Sequence, residues 1–261
     1  MLRSLTTAAT GMLAQQLNID VISNNLSNVN TTGYKKVRAE FQDLLSQTIK
    51  PAGAQIFQGT TQPVGIQVGL GTKTSATVKE FSEGTFKSTG GELDIAIEGD
   101  GFFQVQMDDG TIGYTRDGSF KRDANGQLTT SDGLIIQPQI AISAEAQQVI
   151  ITPDGRVSEK IAGQSEPTEI GSLTLTKFAN PSGLTSIGKN LYSETAASGN
   201  PIEGQPGQEG FGTIQQGFLE GSNVQVVEEL INLIQAERAF EANSKLIRSS
   251  DELLRILNRM S

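Results

Sequence analysis

MLRSLTTAATGMLAQQLNIDVISNNLSNVNTT, residues 1–32, decides how the rest of the 261-residue chain is read. Leu5, Met12, Ile19 and Leu26 recur every seven residues, interleaved with Leu2, Ala9 and the less apolar Gln16 and Ser23, and a second oblique row runs Leu13, Leu17, Val21. Apolar residues at that period mark an amphipathic helix. Nothing strong interrupts it before Asn30-Thr-Thr-Gly33, where weak helix formers precede a glycine suited to a left-handed cap. The spacing predicts a helix over 1–32.

The other end mirrors it. Residues 222–261 hold no glycine and no proline. They open on Ser222-Asn-Val-Gln225, a capping-box pattern, with Glu228 and Glu229 in the early turns and Arg255 and Arg259 near the close, charges that complement the helix dipole. Leu233, Phe240, Ile247 and Leu254 form one apolar row, and Leu246, Leu253 and Leu257 a second. Each terminal helix is thus apolar over more than a single coiled-coil seam and asks for more than one helical neighbour. A closed bundle and an open polymer both satisfy that demand.

Between the helices the composition changes. Of the 29 glycines, 28 fall in 33–221, as do all eight prolines. Charge follows the same division: five basic against three acidic residues in 1–50, ten against twenty in 51–221, five against six in 222–261. Six Asx-Gly steps (Asp100-Gly101, Asp109-Gly110, Asp117-Gly118, Asn125-Gly126, Asp132-Gly133, Asp154-Gly155) lie within 56 residues, and such pairs adopt the positive φ of hairpin turns. Strand-like runs sit between them at Leu93–Ile97, Phe102–Met107, Leu134–Gln137 and Gln148–Thr152. Residues 46–66, SQTIKPAGAQIFQGTTQPVGI, carry neither the helical nor the strand period and read as extended or irregular. The expected fold is mixed α+β. An N-terminal core helix (1–32) and a C-terminal core helix (222–261) form a helical domain, a linking segment (33–75) includes the irregular stretch, and a central, mainly antiparallel β domain occupies 76–221.

The formal charge of −9, and the absence of Cys and His, exclude thiol chemistry, disulfides, zinc fingers, a Ser-His-Asp triad and His-ligated metal. An acidic chain is a poor nucleic-acid partner. Gly69-Leu-Gly71 lacks the third glycine of a dinucleotide loop, and Gly188-Lys189 is followed by Asn190 rather than Ser or Thr. Carboxylates gather at Asp94, Glu98 and Asp100 and at Asp108, Asp109 and Asp117; most adjoin turns, where Asp belongs for backbone reasons, and no EF-hand spacing accompanies them. No catalytic, cofactor or metal residue is expected. No apolar run is long enough for a membrane span, and residues 1–23 lack the apolar core and cleavage site of a removable leader.

At 23–35, SNNLSNVNTTGYK resembles the N-terminal signature of the bacterial flagellar axial proteins, the rod and hook family, through Asn24, Asn25, Leu26, Asn28, Thr31, Gly33, Tyr34 and Lys35. GDGFFQV (99–105), YTRDGSF (114–120), Gln216–Val224 and ERAFEANSK (237–245) resemble further motifs of that family, with Ser27, Glu237 and Phe240 as conservative departures. The hook members carry an additional outer domain for which 261 residues leave little room. Proximal rod members lack a stretch comparable to 46–66. The resemblance implies a structural subunit without enzymatic activity or cofactor. It would polymerise with itself into a tube spanning the periplasm, exported by the flagellar type III apparatus. Its neighbours would be proximal rod proteins and hook protein at the two ends and the basal-body rings around it. The implied assembly interface comprises Leu5, Met12, Ile19, Asn24, Asn25, Leu26, Asn28, Gly33, Leu233, Phe240, Ile247 and Leu254. Asparagines on an apolar helix set register between neighbours, or else serve the end of the helix. The rival class is a β-rich binding module with helical oligomerisation ends.

Overall fold

The computed structural model describes residues 2–51, 55–57, 60–61, 64–162, 166–208 and 210–260. The chain divides into two units. One holds helix α1 (Leu2–Ser27), the segment Val37–Val78 and helix α2 (Val226–Met260); the other holds Asn28–Lys36 and Lys79–Val224.

Both helices form, each shorter than expected. The first ends at Ser27 instead of continuing to 32, and Thr31 N–H turns back onto the Asn28 carbonyl at 3.1 Å. The left-handed glycine is present, with Gly33 at φ +67, but it redirects an already irregular chain. The second helix begins at Val226, and its first i→i−4 bond runs from Glu229 N–H to the Gln225 carbonyl. Ser222 Oγ meets the Val224 amide at 3.2 Å, so the expected reciprocal box with Gln225 gives way to a local turn.

In the first unit the two helices pack against each other. A Cβ at Gly11 would meet Asn243, and Asn25 meets Glu229, so the helices run antiparallel. The segment 37–78 is a nested β arm. Val37–Asp43 pairs with Thr72–Lys79, Gln47–Lys50 with Ile66–Val68, and Gln55–Phe57 with Thr60–Thr61. The stretch read as extended or irregular is extended and paired at 47–50, 55–57, 60–61 and 66, with register shifts at Thr48/Lys50 and Gln55/Phe57; 52–54, 58–59 and 62–63 lie outside the described residues. Gln47–Lys50 and Ile66–Val68 are exposed on both faces, which explains the missing period. Alternation appears in a sequence only where one face is buried.

The second unit is the expected β domain. Seven strands lie in the order 121–122, 128–129, 135–137, 103–106, 112–115, 191–193, 185–188, beside a three-stranded sheet of 146–151, 156–161 and 168–172. Late strands return to early ones: Thr213–Gln216 pairs with Ile95–Glu98, and Phe218–Glu220 with Phe86–Ser88. Ile95, Ile97, Phe103, Val105, Leu128, Ile136, Val157, Leu175 and Ile214 fill the core. The Asx-Gly steps turn with positive φ at Gly101, Gly110, Gly126, Gly133 and Gly155. Asp117-Gly118 differs. There a Cβ would lie 1.6 Å from the Ile95 carbonyl oxygen, so close backbone approach, not φ, demands glycine.

Candidate assembly faces and a buried ionic junction

The helix pair hides small and polar side chains. Ala8, Ala14, Ile22 and Asn25 of α1 and Glu229 and Ala236 of α2 are buried. The expected rows flank this seam. Leu5, Met12, Ile19, Leu26, Leu233, Ile247 and Leu254 are half-buried, Phe240 is exposed, and Leu13 is 67% exposed. A further apolar set on α2 (Val227 at 72%, Leu230, Ile231, Ile234, Leu246, Leu253, Ile256) also faces outward. Asn24 is exposed and Asn28 half-buried, accepting Thr31 Oγ1–H at 3.2 Å. Asn25 is used inside the chain. Its amide nitrogen donates to the Val37 carbonyl at 2.8 Å and reaches Glu229 Oε2 at 3.4 Å, and its oxygen accepts Val37 N–H at 2.9 Å. One side chain thereby completes the backbone pairing of the first strand residue, which no periodicity announces.

In the β unit, three signature motifs meet at a point. Lys35 Nζ lies 2.6 Å from Glu220 Oε1 with both side chains fully buried, and Arg116 Nη1 lies 3.5 Å from Glu220 Oε2. Lys35 also donates to the Ser82 carbonyl at 2.6 Å, and Arg116 to the Gly99 carbonyl at 2.8 Å. The guanidinium stacks 5.4 Å from the Phe102 ring centre. Burial pulls the Lys35 ammonium below the ordinary lysine range, with Glu220 opposing it; burial acts on Arg116 in the same direction. Two cations thus share one carboxylate that also accepts Gly84 N–H, and buried charges persist only when so paired.

The loop 28–36 is held here along its length. Gly33 N–H donates to the Glu220 carbonyl at 2.8 Å, Asn190 Nδ2 donates to the Thr32 carbonyl at 3.1 Å, and Lys36 N–H donates to Asn223 Oδ1 at 2.7 Å. A Cβ on Gly33 would meet the Asp117 nitrogen at 2.7 Å. Within the chain, Gly33 is built into this junction. Lys189 and Asn190 both take positive φ, as a two-residue hairpin turn between 185–188 and 191–193 requires. The Gly188-Lys189 step is a turn that presents Asn190 to the loop.

The acidic residues do turn work. Asp109 accepts both the amide and the hydroxyl of Thr111, which hold its carboxyl below the usual range, and Asp117 accepts Ser119 N–H. Asp100 pairs with Lys177 at 3.1 Å. Among the described residues no group of three or more potential ligands could hold a metal, and no helix is long and apolar enough to cross a membrane. Sequence reading missed Arg116, Glu220 and Glu229 as site residues. A Lys, an Arg and a Glu each inside a glycine- or aromatic-rich motif was the available signal, but partners 185 positions apart cannot be matched by spacing.

One unit thus presents a pair of terminal helices with outward apolar residues, and the other a β domain whose buried junction draws on 23–35, 114–120 and 216–224, the combination expected of an axial-protein subunit. Three family profiles match, described as flagella basal body rod protein (residues 5–35), flagellar hook protein FlgE/F/G D1 domain (96–159) and flagellar basal body rod FlgEFG protein C-terminal (215–260). The chain is 51% identical, over all of its length and 99% of the relative's, to the flagellar basal-body rod protein FlgG of Borreliella burgdorferi. Identity is 45% to that of Agrobacterium fabrum, over 99% of both chains, and 42% to that of Bacillus subtilis, over 98% of both. A hook protein FlgE from Helicobacter mustelae matches 52% of the chain at 47% identity, covering 30% of its own length. The chain belongs to the FlgG family of flagellar basal-body rod proteins.

Proposed function

We propose that the chain is a subunit of the distal flagellar rod, a drive shaft crossing the periplasm, built by self-assembly through α1 and α2. One observation carries this reading: apart from Ile22, the side chains fully buried between the helices are small or polar, while the other described large apolar residues of both helices are only half-buried or exposed. A helix apolar on several sides is a helix meant to be surrounded. Leu5, Met12, Leu13, Ile19, Leu26, Leu233, Phe240, Ile247 and Leu254, with Val227, Ile231 and Ile234, are the faces assigned to neighbouring copies. Each large apolar side chain so covered contributes about 1.5–3 kcal/mol. Asn25 and Gly33 act one step removed, by fixing the strand and loop that leave α1.

The arm completes the assignment. Leu45 is 88% exposed, and Ile49, Val64, Ile66 and Val68 are also open to solvent. A two-stranded ladder is marginal alone in water. Laid along an adjacent copy it would strap subunits together and keep the tube straight. Proximal rod and hook proteins at the ends, the basal-body rings and the type III export apparatus are the partners this role entails. Electron microscopy of concentrated protein tests it. Wild type forms straight tubes, Leu13→Gln/Ile231→Gln remains folded but unassembled, and deletion of 46–66 gives curved tubes. Discrete oligomers from wild type would refute the assembly reading, and straight tubes after the deletion would refute the strap.

A further inference from the structure

We propose that the Lys35–Glu220–Arg116 cluster is a folding clasp: it holds the β unit open in any chain from which Glu220 has not yet emerged. The two cations come from the first 116 residues, and the carboxylate that touches both comes 185 and 104 positions later. A chain that appears N-terminus first, from a ribosome or a narrow channel, presents both cations long before their partner. Closing the unit early would bury an ammonium and a guanidinium, each nearly inaccessible in the finished fold, without a counter-charge, which is strongly unfavourable.

Among the described residues no other carboxylate replaces Glu220. Glu83 acts on both cations and Asp100 on Arg116 through space, but both are exposed or partnered elsewhere. Glu83 accepts Gly99 N–H and Asp100 pairs with Lys177. The arrival of Glu220 coincides with that of the strands it belongs to, since 213–216 and 218–220 are the last strands along the described chain and Ile214 is fully in the core. Shape and charge are thus completed by one late segment, so partial chains stay unfolded rather than closing on a wrong partner. The clasp acts on closure of a single chain and stands apart from assembly between copies.

Refolding of the full-length chain from urea, followed by protease resistance of the β unit, tests it. At about pH 7, Glu220→Gln should slow closure roughly tenfold or more, and adding Lys35→Met should recover most of that loss by removing a stranded cation. Raising the pH from about 7 toward about 10 should speed closure of Glu220→Gln alone, as Lys35, facing Arg116 and Glu83, sheds its proton. The double variant, lacking that lysine, should not respond. If Glu220→Gln never closes, the double variant still decides. A double variant as slow as, or as unfolded as, Glu220→Gln would overturn the clasp, because lost packing and not stranded charge would then be the cause. A Glu220→Gln chain that closes at the wild-type rate would overturn it too.

Discussion

Replacing Asn25 separates hydrogen bonding from charge at one buried position. Asn25→Ala removes the two bonds to Val37 and the longer contact to Glu229. A net hydrogen bond is worth about 1 kcal/mol, and a buried group left unsatisfied costs about 1–3 kcal/mol. Val37 is only half-buried, so water repairs part of the damage and the expected loss is about 2–3 kcal/mol. Asn25→Asp keeps the acceptor for Val37 N–H but puts a carboxylate about 3.4 Å from Glu229 Oε2. At an effective dielectric constant near 20 that repulsion approaches about 5 kcal/mol. Protonating one carboxyl at pH 7 limits it to about 4 kcal/mol. The sign follows from linkage: the folded variant holds a proton that the unfolded chain lacks, so its stability rises as pH falls from about 7 to about 4. The alanine variant carries no such dependence. Urea titrations followed by helical circular dichroism, with hydrogen exchange at the Val37 amide, read both effects. An aspartate variant as stable as wild type at pH 7, or one that gains nothing on acidification, would refute the reasoning.

Other outcomes follow from single features. Gly118→Ala should cost about 3 kcal/mol or more through overpacking against the Ile95 carbonyl. Gly69→Ala, which meets nothing within 4 Å, should be neutral or stabilising by up to about 1 kcal/mol; equal effects on urea midpoints would contradict the packing assigned to Gly118. Burial raises the Tyr114 hydroxyl to about 12, helped by Glu194 and Glu203, and raises Tyr192 as well. Folded protein binds those protons more tightly, so this stabilisation is intact below about pH 10 and, for Tyr114, is lost between about 10 and about 12. Ultraviolet titration showing both rings ionising near 10 in folded protein would count against it. Nicking the arm should leave 28–36 bound to 79–224, because Lys35 and Gly33 are buried there, and the fragments should co-elute until urea parts them.

What was legible in the sequence was whatever repeats locally. Leu5, Met12, Ile19 and Leu26 announce a helix because one face of it is apolar, and Asp132-Gly133 announces a turn because its backbone needs positive φ. The helix ends moved by several residues because Asn28 and Ser222 prefer turns made with their own side chains. The arm was marked as extended or irregular, but its strand pairing escaped because exposure on both faces erases alternation. The junction escaped because Lys35, Arg116 and Glu220 carry no sign of one another, and a lysine beside a tyrosine looks the same in sequence whether solvated or buried. Asn25 was marked as important, but its partner is a backbone group twelve residues on, which composition cannot show.

The chain crosses into the β unit twice, at Asn28–Lys36 and again at Lys79, and the two crossings are fastened together by a bond of 2.9 Å from Glu80 N–H to the Lys36 carbonyl. The chain therefore leaves for the arm and returns from it at a single fastened point. Because the arm's two ends are held in register whatever lies between them, lengthening or exchanging it adds only a slowly growing closure entropy, about 0.6 kcal/mol per doubling. This makes position 51–65 a natural port for grafted sequence. Peptides or small domains carried there should leave the sheets of 79–224 unaltered, so that one scaffold could be issued with arms of different length and grip.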